Sequence, residues 1–161
     1  MDPSLVGLST ILKLNTRLFV NCLDGVTAEM LRSQPAPNVN HIGLVACHLI
    51  DARCYLLKLL DMEVPDPFDG RLERVQAVAD MTWCPTVDEL TSWWRDLAPK
   101  LDARLESVTA VDLEKPVDMP FPTDDRSVRG AIAFLAQHES YHIGQIALIR
   151  RCLGLPAMKY T

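Results

Sequence analysis

Apolar residues recur along this chain at three-and-four spacing in four long stretches, with no convincing strand alternation, so the pattern predicts an all-α fold. The first helix is expected from about Ser4 to Leu23, with Leu5, Leu8, Leu12 and Phe19 on its inner side and Asp24-Gly25 ending it. Beyond Pro35 and Pro37, Asn40 is a good N-cap for a second helix reaching about Met62, ahead of a loop with Pro65 and Pro67. Thr86 opens a third helix, and Glu89 three positions on completes a capping box. That helix carries Leu90, Trp93, Trp94, Leu97 and Leu101 to about Ser107, with a kink expected at Pro99. A last connection with Pro116, Pro120 and Pro122 leads to Ser127, the cap of a fourth helix closing at Gly154 just before Pro156. Four such helices predict one domain over residues 1–161, a four-helix bundle with long connections after helices two and three. Loops that long in a compact domain often cover functional sites, and both are expected at the site mouth; Arg71 to Met81 has room for a short helix.

Two inner stripes carry unusual residues. On the second helix His41, Val45, His48, Ala52, Tyr55 and Leu59 share a face, which sets His48 in the middle of an apolar row. On the fourth, Ala131, Leu135, His138, His142, Gln145 and Ile149 align in the same way. Burying an unpaired imidazole or amide costs roughly 1–3 kcal/mol, so these polar groups need partners. His138 and His142, four apart, lie about 6 Å apart in rise and about 40° apart in azimuth, a spacing that lets two imidazoles meet one ion.

The run His138-Glu139-Ser140-Tyr141-His142 also reads as HExxH, a zinc-protease signature. Such a site takes a third protein ligand, usually downstream. None exists here, since no His, Asp or Glu follows His142. The third ligand must come from upstream, where His41 and His48 are the remaining histidines. They stand roughly 10 Å apart along their helix, too far for both to reach one ion, and mid-helix His48 is the better placed. His41, at the first turn, is expected as a pocket-rim or helix N-terminal residue.

Composition narrows the function classes. Sixteen basic and twenty-one acidic residues give a net charge of −5, and there is no basic tract or Arg/Lys stripe, which argues against nucleic acid as a partner. No apolar run approaches membrane-spanning length. The amino terminus has no basic residue before Lys13, unlike a secretory signal. Five cysteines, Cys22, Cys47, Cys54, Cys84 and Cys152, without a Cys-x-x-Cys pair, read as reduced, mostly buried thiols and a cytoplasmic address.

The segments Asn40-His41-Ile42-Gly43-Leu44-Val45-Ala46-Cys47-His48-Leu49-Ile50-Asp51-Ala52 and His138-Glu139-Ser140-Tyr141-His142-Ile143-Gly144-Gln145-Ile146-Ala147 through Gly154 resemble the DinB/YfiT-like superfamily over nearly the whole chain. The resemblance implies a four-helix bundle with a divalent metal on three histidines, matching His48, His138 and His142. It further implies similarity to S-transferases and isomerases that use bacillithiol, mycothiol or glutathione, and an expected homodimer; other members have no known reaction.

Three neutral imidazoles leave a further metal position for water or a thiolate, the mark of a catalytic rather than a closed structural site. A thiol bound there is deprotonated outright, and water is activated in the same way. Zinc is the default ion, with nickel, iron or copper as alternatives. Glu139, about 100° around the helix from His138, is the candidate general base, with a surface or supporting acid as the alternative. Asp51 is a candidate for orienting a ligand imidazole, or else an exposed acid. Gln145 is expected to anchor a hydrogen-bond network. Tyr55, Tyr141, Trp93, Trp94 and Cys47 read as packing residues, and Arg150 and Arg151 as complements to their own helix dipole. The leading function is a metal-dependent enzyme activating a low-molecular-weight thiol or water for S-transfer or hydrolysis of a small molecule. A non-catalytic, stress-linked metal-binding protein and a helical interaction module are the alternatives.

Overall fold

The N–H groups in the first turn of a helix lack intrahelical acceptors, and side chains just upstream supply them here. The computed structural model describes residues 1–118 and 121–160, which places Pro120 outside the described residues. Six α-helices follow one another: α1 (Val6–Leu23), α2 (Ala28–Arg32), α3 (Ile42–Leu59), α4 (Val87–Ser107), α5 (Ala110–Leu113) and α6 (Val128–Cys152). Among the described residues there is no strand, only an isolated bridge between Pro116 and Ser127. The fold is all-α.

At the start of α4 the Thr86 hydroxyl accepts from the Glu89 N–H (3.2 Å) while the Glu89 carboxylate accepts from the Thr86 N–H (2.7 Å), the expected capping box. Ser127 caps α6 through the Gly130 N–H. A side chain at Gly130 would collide with the Asp125 carbonyl, so the tight entry into α6 requires glycine. Gly25 (φ 74°) and Gly154 (φ 86°) follow α1 and α6 in the left-handed region, as stop signals should. α4 runs through Pro99.

The cap of α3 corrects the expectation of Asn40. It is His41, whose Nδ1 accepts from the Leu44 N–H at 3.0 Å in a buried position. An imidazole is an uncommon cap, so the more usual Asn one residue earlier drew the assignment.

α1 and α3 each pack against both α4 and α6, and their apolar faces form one continuous core. Between α3 and α4 the chain makes two short 3-10 turns, Leu72–Arg74 and Val78–Asp80, where a single short helix had room. Arg150 does more than complement its own helix. Buried at the end of α6, its guanidinium donates to the carbonyls of Asn21 (2.7 Å), Cys22 (3.1 Å) and Asp24 (3.1 Å), closing the carboxyl end of α1.

The centre of the core differs from the sequence expectation. On α6 the most buried row runs through Ile132, Ala136, Glu139, Ile143, Ile146 and Arg150, and on α3 through Ala46, Leu49, Ile50, Arg53 and Leu57. His48, His138 and His142 lie on the flank of that core and are only half-buried, although Val45, Ala52, Ala131, Leu135 and Ile149 on the same stripes are buried. Charged Arg53 and Glu139 pass for outward residues in a periodicity count, which shifts the inferred centre of each face toward the histidines.

Candidate metal centre

Two packed helices deliver the site. α3 contributes His48, and α6 contributes His138 and His142 one turn apart. Their Nε2 atoms converge: His48 to His138 is 2.9 Å and His142 to His138 is 3.1 Å, and all three residues offer a nitrogen within 4.8 Å of the others. Bonds of about 2.0–2.1 Å to a tetrahedral zinc ion would set such nitrogens about 3.3 Å apart, so the spacing is close to that of a ligand set.

Proton bookkeeping favours a cation among them. His142 Nδ1 lies 2.6 Å from the Gln145 Oε1, an acceptor, so the proton of His142 sits on Nδ1 and its Nε2 lone pair faces the cluster. Burial, followed by the nearby His142, lowers the pKa of His48. Burial, then His142 and His48, pushes His138 down to about 4. Burial also lowers His142, against an opposing contribution from the Gln145 hydrogen bond. Imidazoles neutral at pH 7 are the form that binds metal. His138 Nε2 meets both other Nε2 atoms and cannot both donate and accept in its neutral form, so hydrogen bonds among the three do not satisfy the cluster; its Nδ1, away from the cluster, is buried with no hydrogen-bond partner.

His48 and His142 open onto a cavity of about 450 Å³, whose wall also includes Asn40, Leu44, Asp51 and Glu73. Much of the wall comes from residues 72–78 of the connection after α3, so that connection lines the site. From the later connection, Phe121 packs on Phe134 (ring centroids 5.1 Å apart), which in turn packs on His138 (5.7 Å).

The general-base role expected of Glu139 needs correction. Glu139 is 1 % exposed and lines no part of this cavity. Both oxygens accept from Arg53, at 2.8 Å from Nε and 2.7 Å from Nη2, and Asn15 Nδ2 donates to Oε2 at 3.4 Å. A general base must reach the proton that it takes, and this one is sealed and paired. Arg53, itself 0 % exposed, also donates to the Thr16 hydroxyl (2.9 Å) and lies 3.4 Å from the centre of the Trp94 ring. Sequence reasoning overlooked Arg53. The available signal was two opposite charges, each stranded on an apolar row: Arg53 four after Leu49, and Glu139 four before Ile143.

The remaining candidates separate clearly. Gln145 orients His142. Asp51 makes no hydrogen bond to His48 and instead stands at the cavity wall, where burial, then Asp66 and Glu73, raises its pKa. His41 is spent on its cap. Tyr141 is exposed at the edge of the His142 ring, 5.0 Å between centroids, and is no packing residue. All five cysteines are free, and Cys152 is exposed. No helix among the described residues is long and apolar enough to cross a membrane.

An all-helical chain in which two packed helices bring three imidazoles together beside a cavity is the class that this fold and site define. The chain belongs to the DinB superfamily, whose sequence model matches residues 11–146. Its fold is similar to the crystal structure of a conserved protein from Enterococcus faecalis, with a TM-score of 0.78 and 14% identity over 94% of this chain and 98% of that one. No curated protein matches the chain.

Proposed function

We propose that this protein is a metal-dependent enzyme in which His48, His138 and His142 hold a divalent ion, zinc in the first instance, and the adjoining cavity admits a small molecule. The convergence of three Nε2 atoms at the wall of a cavity of about 450 Å³ carries this reading. An ion held by three imidazoles keeps a further position for water or a low-molecular-weight thiol and lowers the pKa of whatever binds there. The residues around it do the rest: Gln145 fixes the His142 tautomer, and residues 72–78 line the cavity. S-transfer or hydrolysis follows from which nucleophile occupies that position. Four long helices, two of them each packed on the other two, support reading the fold as a four-helix bundle. Five free thiols support a reducing, cytoplasmic setting.

Metal analysis of the purified protein, beside His138→Ala and His142→Ala, tests the site. One ion per chain, lost in both variants, is expected; metal-free wild type would leave a helical interaction module. Turnover is tested with thiols and electrophiles run beside simple esters and amides. Metal-dependent product supports the enzyme, and none across the panel reassigns the chain as a non-catalytic metal-binding protein.

A further inference from the structure

The cavity beside the histidines carries charge of one sign. Asp51 and Glu73 line it, no lysine or arginine does, and neither carboxylate has a hydrogen bond or ion pair among the described residues. A second cavity of about 300 Å³ shares both acids and adds Glu63, Asp66 and Tyr55, with Lys58 as its one base. The nearby arginines do not compensate. Arg71 and Arg74 flank Glu73 in sequence but line neither cavity, and Arg71 is committed to the Phe68 carbonyl (2.9 Å) and to the Trp83 ring. Asp66 is likewise committed, accepting from the Phe68 and Gly70 N–H groups at 2.8 and 2.6 Å. Asp51 and Glu73, both exposed, therefore face the space in front of the imidazoles as unpaired acids, and an aromatic ring, Tyr55, lines the second cavity that they share. Aromatic faces and carboxylates both attract cations.

We infer that this cavity selects a small molecule bearing an ammonium or guanidinium group, held by Asp51 and Glu73 while its reacting end meets the three histidines. This rests on the reading of the cavity as the substrate site of a metal enzyme. The cavity and the imidazoles define the site, and the two acids decide which ligand it takes. A carboxylate-bearing thiol meets repulsion here, whereas a cationic substrate gains two charge-assisted contacts.

The test uses three probes of one size that ligate metals poorly: butylguanidinium, neutral butylurea and butanesulfonate. Calorimetric titration into the full chain, metal-loaded and metal-free, is expected to show butylguanidinium binding at least about tenfold tighter than butylurea, with butanesulfonate weakest. In Asp51→Asn/Glu73→Gln that preference should vanish, while Glu106→Gln, a neutralisation of an exposed acid on α4, should keep it. Glu73→Arg should turn the preference toward butanesulfonate. Absence of butylguanidinium binding, equal binding of the three, or a preference that survives the double substitution overturns the inference. Metal content measured in the same samples keeps the two readings apart: a metal-loaded chain without charge selectivity sinks only this inference, and a selective chain without metal sinks only the metal enzyme.

Discussion

Two polar clusters join α3 to α6, one residue apart on α6, and they have opposite character. Around Arg53 and Glu139 the side chains are sealed from solvent and nearly every polar atom is matched: two charge-assisted bonds between the pair, Thr16 and Asn15 beside them, and the Trp94 ring beneath the guanidinium. Around His48, His138 and His142 the groups are half-exposed, three nitrogens point at one another, and His138 Nδ1 has no partner. A buried ion pair that is complete in itself has nothing to offer a ligand. A set of lone pairs converging beside a cavity has unmet demand, and unmet demand identifies the functional side of a bundle.

The sharpest way to break this contrast is to remove half of the sealed pair. Arg53→Ala or Glu139→Ala strands a buried charge and should lower unfolding stability by about 3–5 kcal/mol in denaturant titration, while Arg53→Met with Glu139→Leu should recover most of the loss. His48→Ala in metal-free protein should cost no more than about 1 kcal/mol; a loss as large as that of Arg53→Ala would erase the distinction between the clusters. Metal narrows the gap. With zinc at about 100 times its dissociation constant the wild type should gain about 2.7 kcal/mol of stability, and His138→Ala should gain none, as judged by melting with and without chelator. Gln145→Leu probes the support behind a ligand: chelator competition should find metal binding about 10–100-fold weaker at unchanged metal-free stability. Thr86→Ala, which touches neither cluster, sets the scale for an ordinary defect at about 1 kcal/mol with metal affinity intact.

The parts of this molecule governed by near neighbours in sequence could be read before the structure. The Thr86–Glu89 box and the Ser127 cap involve residues three apart, and His138 with His142 is a single-helix spacing, so helix geometry alone places them. His48 followed from elimination, the other histidine being too distant along the helix. What periodicity could not supply was the partner of Glu139, which lies 86 residues away. With that partner unknown, a carboxylate beside a candidate ligand histidine looked like a base, and Arg53 on α3 went unremarked. The short α2 and α5 escaped for a different reason: one turn of helix has no periodicity to detect, although Thr27 and Thr109 cap them through the N–H groups of Met30 and Asp112.

Arg150 makes the order of synthesis matter. The last carbonyls of α1, a helix that ends at Leu23, find their buried donors in a guanidinium that leaves the ribosome more than a hundred residues later. Until then the Asn21 and Cys22 carbonyls lack that donor, and only Leu23 is closed locally, by the Val26 N–H at 3.1 Å, so the end of α1 should fray until α6 arrives. Completion of α6 and closure of α1 should then be one event. Amide hydrogen exchange should report it as matched protection at the two distant sites, lost together in Arg150→Met.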